Sequence, residues 1–247
     1  MIRKYELNAN IMETKVDILK EHKSRNDRAA FNNALHDILP QLKHYAKNRL
    51  RIAKAKKKIR SGVYSVDDIV DEVFLIAYEN LIDDIIDEKE LKVRLFKAVD
   101  EVMERLTAKP ENGGDSINVE NLIEQEMKVL QEDFTVEADG HLVMIEELDD
   151  ISYHLDDDKP KIFILDSESE ENIVKSLNLE EDLASDMDKR KALGKTYEEL
   201  PDFSRDIFDL HTHARLTVEE IAEIKSIKAD NVYRILEQVK FRIKSVL

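Results

Sequence analysis

Phe31, Leu35, Ile38, Leu39, Leu42, Tyr45, Ala46 and Leu50 recur at intervals of three and four residues. Apolar side chains so spaced line one face of an α-helix, whereas a strand needs a period of two. The spacing returns in Ile69, Val70, Val73, Phe74, Ile76, Ala77, Tyr78 and Leu81, and again in Leu91, Leu95, Val99, Val102 and Leu106. Only 5 Gly and 4 Pro interrupt the 247 residues, and the dominant Leu, Ile, Glu and Lys favour helix. Pro40 falls inside the first pattern and predicts a kink or a new helix there. Ser65, followed by Asp67 and Asp68, predicts an N-cap with carboxylates against the positive end of the helix. A helix is expected over Glu88 to Leu106, and the first module reads as a bundle of about four helices. Beyond Lys109-Pro110-Glu111-Asn112-Gly113-Gly114, a linker, a short helix is expected over Val119 to Leu130. Phe134 to Ile145 alternates around Asp139-Gly140 and predicts a β-hairpin, and Lys161 to Leu165 suggests a further strand. Helices over Tyr197 to Asp209, Thr217 to Ile224 and Ala229 to Val246 complete the chain. The fold class is mostly α, with a possible small β element.

Charge divides the chain. The net charge of −16 is distributed very unevenly. Residues 1–62 hold 16 Lys/Arg and 6 Asp/Glu, whereas residues 110–190 hold 6 and 25, and residues 191–247 balance at 10 and 10. From Lys43 to Arg60 there are nine basic residues and no acidic one. This reads as a helical domain over 1–109, an acidic insert over 110–195 and a second helical domain over 196–247.

Several classes of protein are disfavoured. There is no cysteine, hence no disulfide and no thiolate metal site, which fits a reducing compartment. No apolar run approaches the roughly 20 residues that span a bilayer, and Met1 to Asn10 lacks a signal-peptide core. A cytoplasmic protein without membrane contact is expected. Asp67-Asp68-Ile69-Val70-Asp71 and Asp83-Asp84-Ile85-Ile86-Asp87 both spell DDxxD, a pattern that can hold Mg²⁺ and a diphosphate. The copies lie 16 residues apart, too close for the two facing helices of a prenyl synthase. His211-x-His213 reads as a structural or surface pair rather than a metal site, and no Gly-rich phosphate loop occurs. No enzymatic activity, catalytic residue, metal or cofactor is expected.

The C-terminal stretch is the most informative. Thr217 can cap a helix through Glu219, Glu220 and Ile224, and Ile227, Val232, Leu236 and Val239 stripe a second helix after a short break at Lys225-Ser226. Residues 198–223 hold 2 basic and 8 acidic side chains, and residues 225–247 hold 6 and 2. Two helices so joined describe either a DNA-binding helix-turn-helix or an ordinary helical hairpin with charged faces.

The wording of this stretch, "LPDFSRDIFDLHTHARLTVEEIAEIKSIKADNVYRILEQVKFRIKSVL", resembles the fourth conserved region of bacterial RNA polymerase sigma factors of the extracytoplasmic-function type. "SVDDIVDEVFLIAYENL" is similar to the second conserved region of the same family, and Ala30-Phe31 through Leu50 fits that region's first helix. The two matches stand in the family's order.

The resemblance implies a transcription initiation subunit that binds core RNA polymerase, through the β′ clamp helices and the β flap, and promoter DNA. Asp67, Asp68, Ile69, Asp71, Glu72 and Leu75 would form the polymerase-binding face with a contribution from Phe74, or else Ile69 and Phe74 are simply core and the carboxylates a solvated face. Lys228, Asn231, Tyr233, Arg234 and Gln238 would reach phosphates or base edges of the upstream promoter element. Lys240, Arg242 and Lys244 would contact phosphates or keep the helix soluble, and Ile235 stands where the family often has Arg. The helix that opens the downstream promoter element would be Glu88 to Leu106, offering Lys92, Arg94, Phe96 and Lys97. It lacks the family's Trp and several Arg, and Asp100, Glu101 and Glu104 place negative charge where phosphate would lie. Weak autonomous promoter melting is expected, with dependence on unusually favourable promoters or on a recruiting DNA-targeting protein. An anti-sigma factor is a further candidate partner. The acidic insert would mimic nucleic acid in a basic channel, fold back on the Lys43 to Arg60 run, or remain a solvated linker. The alternative is a helix-turn-helix regulator, or a sigma-like antagonist that does not itself initiate transcription.

Overall fold

The computed structural model describes residues 14–60, 62–108, 119–131, 134–136, 142–144, 167–177 and 187–247. The chain is mostly helical. The expected strand over Lys161 to Leu165 and most of the acidic segment lie outside the described residues.

Helix α1 (Lys15–Ser24) was not anticipated. It starts on a capping box in which Thr14 Oγ1 accepts from the Asp17 amide while the Asp17 carboxylate accepts from the Thr14 amide. Helix α2 (Arg28–Ala34) ends before Pro40, and α3 (Leu39–Ala55) begins with that proline in its first turn, where a missing N–H costs nothing. Helix α4 (Val66–Ile76) starts on the expected Ser65 cap. It runs into a π-helical turn (Ala77–Leu81) that swings Tyr78 edge-on to Phe31, ring centroids 5.1 Å apart. Helix α5 (Glu88–Thr107) is capped by Asp87, which accepts from the Glu90 amide at 2.7 Å.

Helix α6 (Val119–Gln131) leads to the hairpin of β1 (Phe134–Val136) and β2 (Leu142–Met144). The strands pair antiparallel with Thr135 opposite Val143, as the Asp139-Gly140 signal predicts. Helices α7 (Ser167–Leu177) and α8 (Met187–Glu199) follow, and α8 runs through residue 195. The single helix expected over Tyr197 to Asp209 is instead two. Pro201 lacks an N–H and biases Leu200 away from helical ψ, so α8 stops and α9 (Asp202–Thr212) starts afresh. Arg205 spans the break, its guanidinium donating to the carbonyls of Glu198 (3.0 Å) and Leu200 (2.8 Å).

Helix α10 (Val218–Lys225) begins on the Thr217–Glu220 capping box and ends at Ser226, which adopts φ 54°. Helix α11 (Ala229–Ser245) then buries Val232, Ile235, Val239 and Ile243.

The two ends of the chain share one continuous apolar core, to which α6 and α7 also contribute. Helix α6 packs on α11 and α9, and α10 lies against α5. This explains why α3 and α5 are buried more widely than one stripe. His44 and Asn48 on α3, and Asp100 on α5, are buried beside the apolar residues.

Candidate polymerase-facing and DNA-facing surfaces

On α4 the stripe read as a partner surface divides by exposure. Asp67, Asp68, Asp71 and Leu75 face solvent, with Leu75 41% exposed. Asp67 pairs with Lys43 at 2.6 Å, and Glu72 pairs with Arg105 of α5. Asp68 is occupied by the helix start: its carboxylate accepts from the Ser65 amide at 2.8 Å, which holds it below the usual carboxylate range. Ile69 does not belong to this surface. It is buried, as is Phe74, because the i, i+4, i+5 face of α4 turns onto α3 and α5. In the second DDxxD copy Asp83 pairs with Lys23, and Asp87 caps α5. Among the described residues no group of three or more His, Asp and Glu is arranged to hold a metal ion.

On α11, Lys228 stands at the N-cap, and Tyr233 and Arg234 are exposed one turn on, with Tyr233 57% open to solvent. Asn231 and Gln238 are half-buried on either side. The arrangement presents a cation, an aromatic and a guanidinium along the N-terminal half of a helix whose other face, Val232, Ile235, Val239 and Ile243, is buried. Ile235, where the family often has Arg, is fully buried and serves the core. Arg242 leaves the expected phosphate-contacting set: it is buried and donates to the Val129 carbonyl of α6 at 2.8 Å. Phe241, which the sequence reading passed over, is exposed on the solvent side of the same helix.

The α5 set is dispersed. Phe96 is completely buried and meets Tyr45 edge-on at 5.7 Å, so it is not available to stack on a base. Its position on the apolar 91–95–99 face, rather than its aromatic character, decides its place. Lys92 is half-buried; burial lowers its ammonium pKa, against the opposing charge of Glu220 on α10. Arg94 is exposed and pairs with Glu90, and Lys97 is half-buried. Asp100, expected to repel phosphate from the surface, is instead buried.

Asp100 belongs to a cluster that sequence reading did not find. Its Oδ1 accepts from the Tyr45 hydroxyl (2.6 Å) and from Arg49 (2.7 Å), and its Oδ2 accepts from Lys225 Nζ (2.6 Å). Arg49 also reaches Asp206 of α9 at 2.5 Å, and Lys225 lies 3.5 Å from the same carboxylate. Burial alone would raise Asp100, but Lys225 and Arg49 hold it below its ordinary value. Alongside, Lys56 (2.6 Å) and Lys58 (3.0 Å) donate to Asp202, which against the upward push of burial is held well below the carboxylate range. Among the described residues, the acids that meet the Lys43 to Arg60 run therefore include Asp202 and Asp206 of α9, Asp100 of α5 and Asp67 of α4.

A second buried set adjoins. The Tyr197 hydroxyl lies 2.7 Å from both Asp209 oxygens, and His213 Nε2 lies 3.5 Å from Asp209. Burial pushes Asp209 up to about 7 against the Tyr197 hydrogen bond, and the neighbouring Asp206 adds to the rise. The His213 ring packs on His44 of α3, centroids 4.3 Å apart. His211 meets the Leu216 carbonyl at 3.2 Å.

No family model, curated protein or solved structure matches the chain.

Proposed function

We propose that the chain is a sigma-like transcription initiation subunit, cytoplasmic and non-enzymatic, that binds core RNA polymerase through α4 and promoter DNA through α11. The observation that carries this reading is the α10–turn–α11 unit. Its capping box, its left-handed Ser226 and its buried Val232, Ile235 and Val239 make a rigid platform. On that platform Lys228, Tyr233 and Arg234 project into solvent with the chemistry that DNA recognition uses. The family likeness of both regions supports the same assignment. On α4, exposed Leu75 beside Asp71 offers an apolar contact flanked by negative charge, suited to a basic helical partner.

Gel filtration with core polymerase tests the polymerase half. An Asp71→Arg/Leu75→Glu variant changes only exposed side chains, so it should stay folded and lose co-elution. A complex unaffected by the variant would move the binding face away from α4.

One observation favours the antagonist reading as a second possibility. With Phe96 in the core and Asp100 engaged by Lys225, α5 presents neither aromatic capture nor a continuous cationic face. A protein that binds polymerase yet supports no initiation at any promoter would fit that alternative.

A further inference from the structure

We infer that the cleft between α3, α5 and α9 is a binding site for a small phosphate monoester. Lys56, Lys58 and Arg205 hold the phosphate, and a short polar body lies along the cleft toward Asn48. The site stands apart from the surfaces assigned to polymerase and to DNA.

Each of the three helices contributes one face. Asn48, Ile52 and Lys56 follow one another at four-residue intervals along α3, Asp202 and Asp206 do so on α9, and α5 closes the third side through Thr107. Together they line a half-enclosed cavity of about 90 Å³. Asn48 and Lys56 are two helical turns apart, so the cleft runs about 12 Å along α3. At roughly 10–15 Å³ for each water, it has room for several waters or for one small ligand. A cleft walled by three helices admits a terminal phosphate but not a continuous nucleic-acid backbone.

One end of the cleft is cationic. Lys56 donates to one oxygen of Asp202 at 2.6 Å and Lys58 to the other at 3.0 Å, and Arg205 pairs with the same carboxylate. Three cations thus meet a single carboxylate, and Lys57 and Arg60 add exposed positive charge nearby. The surplus suits a phosphate monoester, which is close to doubly charged above its second pKa of about 6. The Asp202 carboxylate marks where an anionic oxygen settles among these donors. Lys56, Lys58 and Asp202 are all partly open to solvent, so they can regroup around an entering phosphate without disturbing the core. The start of α9 does not supply the binding. Its Phe203 and Ser204 amides already donate to Glu126 of α6, at 3.0 and 2.7 Å.

The other end is polar and rejects a second anion. Asp206 is engaged by Arg49, and Asp209 accepts from the Tyr197 hydroxyl, so carboxylates already occupy this end. Asn48 is fully buried beside them, and neither its amide nitrogen nor its amide oxygen has a hydrogen-bond partner among the described residues. A buried amide left unmet is costly. A turn of the Asn48 side chain toward the cleft lets a ligand hydroxyl both donate to it and accept from it. The phosphate therefore stays at the lysine end, and an uncharged hydroxylated body reaches inward.

Titration calorimetry of the full-length protein with glycerol 3-phosphate tests the site. At about 0.15 M salt it should show saturable one-site binding, with Kd of about 1 mM or tighter. Lys56→Gln/Lys58→Gln alters exposed side chains, and should weaken binding about tenfold or more with circular dichroism and Tm unchanged. Lys89→Gln/Lys175→Gln, exposed on α5 and α7, removes as much charge elsewhere and should leave binding unaltered. Inorganic phosphate should bind the parent more weakly than glycerol 3-phosphate, and Asn48→Ala should bring the two to equal affinity. If Asn48→Ala fails to fold, the lysine pair and the comparison of the two ligands on the parent still decide.

Absence of saturable binding overturns the site. Equal weakening in both lysine variants also overturns it, because general charge attraction then accounts for the binding. Equal affinity of the parent for the two ligands removes the role of Asn48. Displacement of glycerol 3-phosphate by a DNA duplex without terminal phosphates assigns the cations to a nucleic-acid backbone and overturns the small-ligand reading.

Discussion

Lys225, the last residue of α10, donates to Asp100 in the middle of α5 at 2.6 Å, and both side chains are more than nine-tenths buried. This bond joins elements 125 residues apart, within the contact of α10 on α5. It also reverses the meaning of Asp100, from a surface charge hostile to phosphate to an internal counter-ion.

Glu126 anchors α6 to the start of α9. Glu126→Gln keeps the shape but removes the charge that faces two backbone amides, and should destabilise the protein by roughly 1–2 kcal/mol. Urea unfolding measures the loss.

Asp209 gives stability a distinct pH dependence. Its folded value of about 7 stands above the ordinary aspartate value of about 3.9, so the folded state holds the extra proton between them. The protonated carboxyl's contribution is present at low pH and is lost as pH rises through 7. Asp209→Asn should therefore raise Tm at pH 8 by about 5 °C, and the advantage should shrink toward pH 5. Asp100 and Asp202 act in the opposite sense. Their lowered values contribute above pH 4 and are lost on further acidification in both proteins.

Phe96 separates a structural role from a DNA-contacting one. Phe96→Ala should cost about 3 kcal/mol or more, because it empties a fully buried site against Tyr45. Phe96→Leu should recover most of that stability. If base capture were its role, DNA affinity would fall in both variants while stability held.

Tyr233 and Arg234 test the opposite case. Both are exposed, so Tyr233→Ala and Arg234→Ala should leave stability within about 0.5 kcal/mol of the parent. If they face DNA, each should weaken binding to a selected promoter fragment, with Arg234→Ala costing about 1–3 kcal/mol where it reads a base.

What could be read in the sequence was local. The Ser65 and Thr217 caps, the restart at Pro40, the extent of α5 and the Asp139-Gly140 hairpin all follow from signals within a few residues. The break at Pro201 was equally local, yet the apolar pattern running from Tyr197 to Asp209 obscured it. The contact of the two ends left no local trace. Arg49 looked like one member of a basic run and Asp100 like one of three surface acids, because only tertiary packing brings them to Asp206 and Lys225. The periodicity of α3 and α5 marked one buried face on each, and the second face, carrying His44, Asn48 and Asp100, is polar. Polar residues buried against a distant element carry no period. Arg242 and Ile69 illustrate the same limit: one charged and one apolar side chain whose burial depends on which neighbour covers them.

Transcription in vitro tests the sigma-like assignment most directly. Purified protein is added to sigma-free core polymerase on fragmented genomic DNA from its own source, and the 5′ ends of the transcripts are mapped. A sigma-like subunit should give new, discrete start sites sharing an upstream element, lost with Arg234→Ala and with Asp71→Arg/Leu75→Glu. Transcripts no different from those of core polymerase alone, with a well-folded protein, would contradict it.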